Sequence, residues 1–284
     1  MRNYFEGWYF KHTMNEENLI FIPGYHRENG VEKAFIQVIY KDEFNYFEFD
    51  KKELTMDETQ IVQIGLNKFS LNKIEINLEN ESIKIVGNII YQNITPLTYK
   101  IMGPFSYVPI MECKHEILSL HHQCTFDLTI NENIIKTGGI GYIEKDWGTS
   151  FPTSYCWLQG NDFNQKASVF VAIASIDYFK ISFTGILGIV YFNNQEIRFT
   201  TYLGAKVVRC NNTQIVITQG SYKLLIHMTE KKGVELPAPM NGSMKRTIHE
   251  TIKTAMRVQL FHHKQCLFDQ ASMNASVEMV NMIK

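Results

Sequence analysis

Two carboxylates stand close together in a segment rich in glycine and tryptophan. Residues 138–148 read GGIGYIEKDWG, which places Glu144 and Asp146 two positions apart. An extended chain directs both side chains to one face at a spacing of about 6–7 Å. Two like charges at that spacing disfavour joint ionisation, so one carboxyl could keep its proton and act as an acid. The alternative is an acidic turn capped by backbone amides, with Lys145 directed outward.

A third acid lies beside a tryptophan near the start of the chain. Residues 4–10 read YFEGWYF, and on a strand Glu6 and Trp8 share one face. A carboxyl next to an indole inside a barrel would be partly desolvated, which favours its protonated form. The alternative is a structural plug that closes the barrel, with Glu6 paired to an arginine.

A row of aromatic and amide side chains follows. Residues 155–161 read YCWLQGN, and alternation places four of them on one face: Tyr155, Trp157, Gln159 and Asn161. Because a buried amide is costly unless it is hydrogen-bonded, the row suits the wall of a mainly apolar ligand pocket. The alternative is a sheet face exposed to solvent. Cys156 falls on the apolar side, where a packed thiol is expected.

Strands must position these groups, because period-two alternation recurs along the chain while no helical period exceeds about three turns. The clearest predicted strands are residues 33–40, 81–91, 168–176, 214–218, 222–228 and 254–261. Short strands at regular spacing predict an all-β fold of antiparallel barrels or sandwiches. With roughly eight to ten strands in each half, we expect two domains, residues 1–150 and 151–284.

Composition excludes several classes of protein. The 284 residues carry 28 Lys and Arg against 29 Asp and Glu, so the basic excess of a nucleic-acid-binding protein is missing. The 5 cysteines show no C-x-x-C spacing, which argues against a disulfide framework or a zinc ribbon. The histidine pairs at 121–122 and 262–263 would point to opposite faces of their strands, so we expect no metal site.

The same sequence contains no dinucleotide fingerprint, phosphate loop or nucleophile elbow. Its start lacks an apolar signal region, and its longest apolar stretches are too short to cross a bilayer as helices. We therefore expect a cytoplasmic protein without a transmembrane segment. Transient contact with a membrane surface stays open, as does the oligomeric state.

Four segments together resemble the tocopherol cyclase family. They are YFEGWYFK at residues 4–11, GYIEKDWG at 141–148 with the following Phe151-Pro152, WLQGN at 157–161, and APMNGSMKR at 238–246. Their order also agrees with the family, and the resemblance runs over nearly the whole chain. Two positions depart from the family pattern: Asp146 stands where asparagine is expected, and Tyr155 where tryptophan is frequent.

The resemblance implies a tandem lipocalin-like fold, related to carotenoid hydratase-like proteins, and a cofactor-independent reaction of the isomerase class. In that reaction an acid protonates an alkene of a prenylated hydroquinone and the phenol oxygen traps the cation, forming a chromanol. Glu144 or Asp146 would donate the proton, with Glu6 as alternative donor or orienting group. The path of the cation would be lined by four aromatic rings, those of Trp8, Trp147, Tyr155 and Trp157. The polar head would be held by two amides, those of Gln159 and Asn161.

Two other functions remain open at this stage. A non-catalytic carrier would hold a hydrophobic ligand, such as a lipid, isoprenoid or quinone, inside a barrel and would need the aromatic pocket but no acid. A related enzyme could use the same scaffold for hydration of an alkene or for another cyclisation, because sites and not folds carry function. In each case the expected partner is a small hydrophobic molecule.

Overall fold

The computed structural model describes residues 2–57, 62–108, 111–178, 181–230 and 233–282. The regular secondary structure of these residues consists of antiparallel strands and three short 3-10 helices at Lys51–Glu53, Gly103–Tyr107 and Thr201–Leu203. The all-β prediction is confirmed. Among the described residues, no helix is long and apolar enough to cross a membrane.

The first sheet has eleven strands within the described part of the chain, in the order β4-β3-β2-β1-β11-β10-β9-β8-β7-β6-β5. Every pairing in it is antiparallel, and β11 lies between β1 and β10. The strands are β1 Tyr4–Met14, β2 Glu17–Glu28, β3 Val31–Tyr40, β4 Glu43–Asp50, β5 Leu54–Thr55, β6 Val62–Ile64, β7 Asn67–Phe69, β8 Lys73–Glu79, β9 Lys84–Gln92, β10 Cys113–Ile130 and β11 Asn133–Gly148.

The second sheet has ten strands in the described residues, nine of them in the order β15-β14-β13-β12-β21-β20-β18-β17-β16, while β19 pairs with β20 off this path. The strands are β12 Tyr155–Gly160, β13 Ala167–Tyr178, β14 Ile181–Phe192, β15 Gln195–Thr200, β16 Lys206–Asn211, β17 Gln214–Gln219, β18 Tyr222–Met228, β19 Val234–Met240, β20 Ser243–His262 and β21 Gln265–Val280. Each clearly predicted strand lies wholly or largely within an observed strand.

The chain divides into two compact units, and neither is one continuous segment. Unit 1 comprises Met1–Pro96, Cys113–Ser150 and Pro237–Arg246, and unit 2 comprises Leu97–Glu112, Phe151–Leu236 and Thr247–Lys284. Each unit has its own apolar core, built from the side chains on one face of its sheet.

Large side chains pack the core of unit 1. The ring of Phe69 lies 5.4 Å from the ring of Phe10 and 6.1 Å from that of Phe21, measured between centroids. All three residues are fully buried. Aromatic pairs at such distances stabilise a core beyond the area they bury. Part of the aromatic excess in the composition is therefore used in packing this core.

The segment at residues 238–246 forms a tight hairpin between β19 and β20. Asn241 and Gly242 both have positive φ, 50° and 73°, as the turns that best match twisted strands require. A Cβ atom at Gly242 would come within 2.4 Å of the carbonyl oxygen of Arg27. The backbone N–H of Gly242 donates to the carbonyl oxygen of Thr149. Glycine is needed here because the hairpin, which is itself part of unit 1, packs directly on other backbone of that unit.

A polar network crosses the interior of unit 1. Nδ1 of His12 lies 3.0 Å from the carbonyl oxygen of Leu19, and because a carbonyl oxygen can only accept, Nδ1 is the donor. Nε2 of His12 then accepts from the hydroxyl of Tyr91 at 2.6 Å. Burial lowers the pKa of His12 to about 4, which keeps the ring neutral. The ring of His122 lies 4.5 Å from that of Tyr91, between centroids, and its Nε2 atom faces Gly141.

Gly141 is the position of closest approach in this network. A Cβ atom there would lie 2.1 Å from Nε2 of the fully buried His122. We expect Gly141→Ala to lower the free energy of unfolding by about 2 kcal/mol, because overpacking a tight core forces rings or backbone to shift. Denaturant unfolding measures the change.

Gly138→Ala is the matched control on the same strand, since the nearest atom to a Cβ there lies 3.9 Å away. We expect that variant to stay within about 0.5 kcal/mol of the wild type. Equal effects of the two variants would contradict the proposed close approach.

Candidate functional site

Strand β11 carries functional side chains on both of its faces. Its partner β1 pairs Glu6 with Trp147 and Trp8 with Lys145, and Trp8 belongs to the core of unit 1. Directly paired residues in an antiparallel sheet point to the same face. Lys145 and Trp147 therefore face inward. The intervening acids, Glu144 and Asp146, face the side of the sheet away from the core.

On that outer face the two acids meet a histidine from β10. Nδ1 of His115 lies 2.9 Å from Oδ1 of Asp146, and Nε2 lies 3.5 Å from Oε2 of Glu144. The hydroxyl of Tyr142 donates to Oε2 of Glu144 at 2.5 Å. The thiol of Cys113 donates to Oδ1 of Asp146 at 3.7 Å. We call Cys113, His115, Tyr142, Glu144 and Asp146 the acid–histidine cluster.

The cluster holds a proton on its histidine at neutral pH. Burial by itself would lower the pKa of His115, but the charges of Asp146 and Glu144 outweigh it and raise the pKa to about 9. Burial, together with the charge of Glu144, raises the pKa of Tyr142 well above its usual range, so its hydroxyl stays a donor. The predicted pair of neighbouring acids is present, but a cation lies between them.

The same three groups form a candidate cation cluster, since one ligand atom from each of His115, Glu144 and Asp146 lies within 4.8 Å of the others. The ring, however, turns a different nitrogen toward each carboxylate. One metal ion can use only one of those nitrogens, whereas an imidazolium presents an N–H group to each carboxylate. The geometry therefore favours a protonated ring between the two acids, and the absence of a metal site stays a prediction.

The inner face of the same strands carries a second charged group. Nζ of Lys145 lies 2.5 Å from Oε1 of Glu6, and it lies over the rings of Trp8 and Trp147 at 4.7 and 5.3 Å from their centroids. Oε2 of Glu6 accepts the hydroxyl of Tyr4 at 2.8 Å and that of Tyr25 at 3.0 Å. We call Glu6, Lys145, Trp8 and Trp147 the lysine cage.

The structure therefore separates residues that the sequence analysis had grouped. Glu144 and Asp146 were expected beside Trp8 and Trp147, but the two sets lie on opposite faces of the sheet. Lys145 lies on the core side of the sheet and pairs with Glu6, whereas the alternatives considered from the sequence had Lys145 directed outward and an arginine beside Glu6. The two tryptophans contact a cation of the protein itself. His115 was not predicted as part of the site, because only the register of β10 against β11 brings it to the acids.

In unit 2 the predicted aromatic and amide row exists. Cys156 and Leu158 belong to the core, so Trp157 and its alternate neighbours face the other way. Three residues of the row, Tyr155, Trp157 and Gln159, lie on β12. Asn161 follows directly after the end of that strand. All four are buried. A solvent-exposed ladder, the alternative considered from sequence, is therefore wrong.

Acids that the sequence analysis missed lie beside this row. Glu278 on β21 is the direct partner of Trp157 on one side and of Glu250 on the other. Both acids are buried, and the hydroxyl of Tyr155 donates to Oε2 of Glu278 at 2.6 Å. No local pattern reveals this pair, because its two members are 28 residues apart in strands whose register includes bulges.

The family of the chain follows from the match of its sequence to a family profile. The tocopherol cyclase-like profile matches residues 83–280, more than half of the chain. The chain belongs to the tocopherol cyclase-like family. The matched range contains the acid–histidine cluster and the row on β12, while the segment at residues 4–11 lies before it. No curated protein matches the chain closely enough to count as a relative.

Solved structures share its fold at low sequence identity. A protein of Nitrosomonas europaea described as AttH has 12% identity and a TM-score of 0.59, covering 99% of this chain and 93% of its own. CghA, in a structure with Sch210972, has 8% identity and a TM-score of 0.57, covering 98% and 89%. Kievitone hydratase from Nectria haematococca has 12% identity and a TM-score of 0.50, covering 98% and 89%. These similarities show the lipocalin-like fold alone.

The protonation of His115 can be measured directly. We expect its ring resonances to titrate near pH 9 in the wild type, and at markedly lower pH in Asp146→Asn, because the burial penalty then outweighs the remaining charge. NMR of histidine-labelled protein gives both values. An unchanged titration of His115 in Asp146→Asn would contradict the role of that carboxylate.

The sign of the linked stability change follows from the raised pKa. The folded state holds the proton of His115 more tightly than the unfolded state, so its stabilisation is complete below pH 6.5 and is lost as the pH rises through about 9. Between pH 6.5 and pH 9 the free energy of unfolding of the wild type should fall by about 3 kcal/mol more than that of His115→Gln. An identical pH dependence of the two proteins would contradict the imidazolium assignment.

The lysine cage predicts a coupled stability effect. Lys145→Met should lower the free energy of unfolding by about 3 kcal/mol, because it leaves the buried carboxylate of Glu6 without its cation. Adding Glu6→Gln should restore at least half of the loss, since the uncompensated charge is then removed. Denaturant unfolding of both single variants and the double variant measures the coupling energy.

Lys136→Met is the matched control on the same strand, because Lys136 forms an exposed ion pair with Asp127. Exposed pairs contribute little, so its effect should stay below about 1 kcal/mol. A loss as large as that of Lys145→Met would show that the cage adds nothing specific.

Proposed function

We propose that this protein is an acid–base enzyme that closes a ring in a prenylated hydroquinone or a related isoprenoid phenol, without a redox step. Membership in the tocopherol cyclase-like family supports an enzymatic function of this class. The observation that carries the proposal is the acid–histidine cluster, in which the largely buried ring of His115 lies between Glu144 and Asp146.

The reaction would use the cluster as one proton-transfer group. The proton leaves His115 for the less substituted carbon of the alkene, and the π electrons form the new C–H bond. The tertiary cation that results is stabilised by the two carboxylates, in a site where low polarity strengthens the attraction. The phenol oxygen then forms the C–O bond, and its proton returns to the cluster. The product is an isomer of the substrate.

Asp146 and Tyr142 have distinct parts in this scheme. Asp146 fixes the ring through Nδ1 and leaves Nε2 on the side of Glu144. Tyr142 donates to Glu144 and so orients that carboxylate. Glu6 is an unsuitable donor for the same site, because it faces the core side and is paired with Lys145. The proposed proton donor is therefore His115 and not one of the carboxyl groups.

Packing argues against a carrier that holds its ligand within unit 1. The interior positions of its strands are occupied by large apolar side chains, among them Phe10, Phe21 and Phe69. The aromatic faces of Trp8 and Trp147 are covered by Lys145. A carrier would need that space for its cargo.

The test is ring closure in deuterated solvent. Purified protein is incubated without oxygen with a prenylated hydroquinone, and the products are separated and weighed by mass spectrometry. We expect an isomer of equal mass in water, which gains one deuterium on carbon when formed in D₂O. His115→Gln should reduce the rate at least about a hundredfold, as is typical when a general acid is lost.

The matched control is His249→Gln, which removes an exposed imidazole of unit 2 and should leave the rate unchanged. Substrate that binds without turnover, with equal affinity for wild type and Glu144→Gln, would instead indicate a carrier. Product without solvent deuterium would exclude protonation of the alkene by an exchangeable group of the enzyme.

A further inference from the structure

Two serine hydroxyls in unit 2 are buried without a hydrogen-bond partner among the described residues. They are Oγ of Ser168 on β13 and Oγ of Ser276 on β21, and both residues are fully buried. A buried hydroxyl that lacks a partner destabilises the fold by about 1–3 kcal/mol. Such groups are rare in folded proteins and call for a physical explanation.

Both hydroxyls lie on the face of the sheet that points away from the core. Ser276 is the direct cross-strand partner of Gln159 on β12, and Phe170 is the partner of Gln159 on the other side. Ser168 shares a face with Phe170, because the residues between and beside them, Val169 and Val171, belong to the core. The serines therefore flank β12 on the same face as its row of aromatic and amide side chains.

Aromatic rings and a carboxylate lie near the serines on the same face of the sheet. Glu278 follows Ser276 by two positions, so it lies about 7 Å further along the same face. It is the direct partner of Trp157, and it accepts the hydroxyl of Tyr155. Hydroxyl groups, aromatic faces and one hydrogen-bonded carboxylate thus converge on a single buried surface, as in sites for mainly apolar ligands with a few polar groups.

The charge of these strands limits which ligand fits. The strands β12, β13 and β21 contain no Lys or Arg, but they do contain acids such as Glu278. A phosphate or carboxylate would meet no cation on them and would be repelled by the acids. An uncharged aromatic ring bearing hydroxyl groups would stack on Trp157 and give the serines their missing partners.

Resting on the proposed function for the choice of ligand, we infer that Ser168 and Ser276 form a subsite that hydrogen-bonds the oxygen atoms of an uncharged phenolic ring. The serines position the ligand and do not take part in proton transfer. They supply specificity, because a site with unpaired hydroxyls discriminates against ligands that lack oxygen.

Binding of two matched probes tests the subsite. Prenylhydroquinone and prenylbenzene differ only in the two hydroxyl groups, and calorimetry gives the Kd of each. We expect Ser276→Ala and Ser168→Ala each to raise the Kd for prenylhydroquinone about three- to tenfold, as the loss of one hydrogen bond implies. The Kd for prenylbenzene should not change.

Thermal unfolding without ligand separates this role from a structural one. Removing an unpartnered hydroxyl should leave the Tm unchanged or raise it, whereas a serine that stabilises the fold would lower it on replacement. Ser175→Ala is the matched control, because Ser175 lies on the same strand β13 but faces the opposite side of the sheet from Ser168. It should alter the Kd of neither probe.

The outcomes also separate this subsite from the proposed reaction. Serine-dependent binding without ring closure would support the subsite and overturn the proposed function. Ring closure with an unchanged Kd and KM in both serine variants would support the proposed function and overturn the subsite. A lowered Tm in both variants, or no binding of prenylhydroquinone to the wild type, would also overturn it.

Discussion

Strand β11 is paired on both sides, and this constraint determines how the chemistry of unit 1 is arranged. Because β1 and β10 fix its register, successive residues must point to opposite faces of the sheet. The charged segment at residues 144–147 is thereby divided into two sites. A shift of one residue against either neighbour would exchange these faces and place two acids in the apolar core.

Each face then neutralises its acids with its own cation. On the core side Lys145 pairs with Glu6 and lies over two indole rings, so the positive charge is stabilised by both a carboxylate and aromatic faces. On the outer side His115 lies between two carboxylates. At His115 burial opposes the charged form, and the charges of the two carboxylates outweigh it. The result is one structural ion pair and one group able to exchange a proton.

Both sheets bury polar side chains on the face away from their cores. In unit 1 that face carries the acid–histidine cluster, and in unit 2 it carries the row on β12 with Glu278 and the two serines. Apolar cores explain why the strands form, since one face of each sheet must be covered. They do not explain buried acids and hydroxyls on the other face. Groups of that kind are retained at a cost to stability, which is typical of functional surfaces.

The all-β fold, the family resemblance and the residues of each motif that share a face could all be predicted from the sequence. These properties depend on local alternation, so Glu144 with Asp146, and Trp157 with Gln159, could be grouped from spacing alone. The residues from other strands that complete each group could be identified only from the folded sheets. His115 meets Asp146 across the long hairpin of β10 and β11, whose register is shifted by bulges. Glu278 meets Trp157 through the pairing of β12 with β21, two strands far apart in sequence. Register of that kind is set by packing of the whole sheet, and no local pattern encodes it.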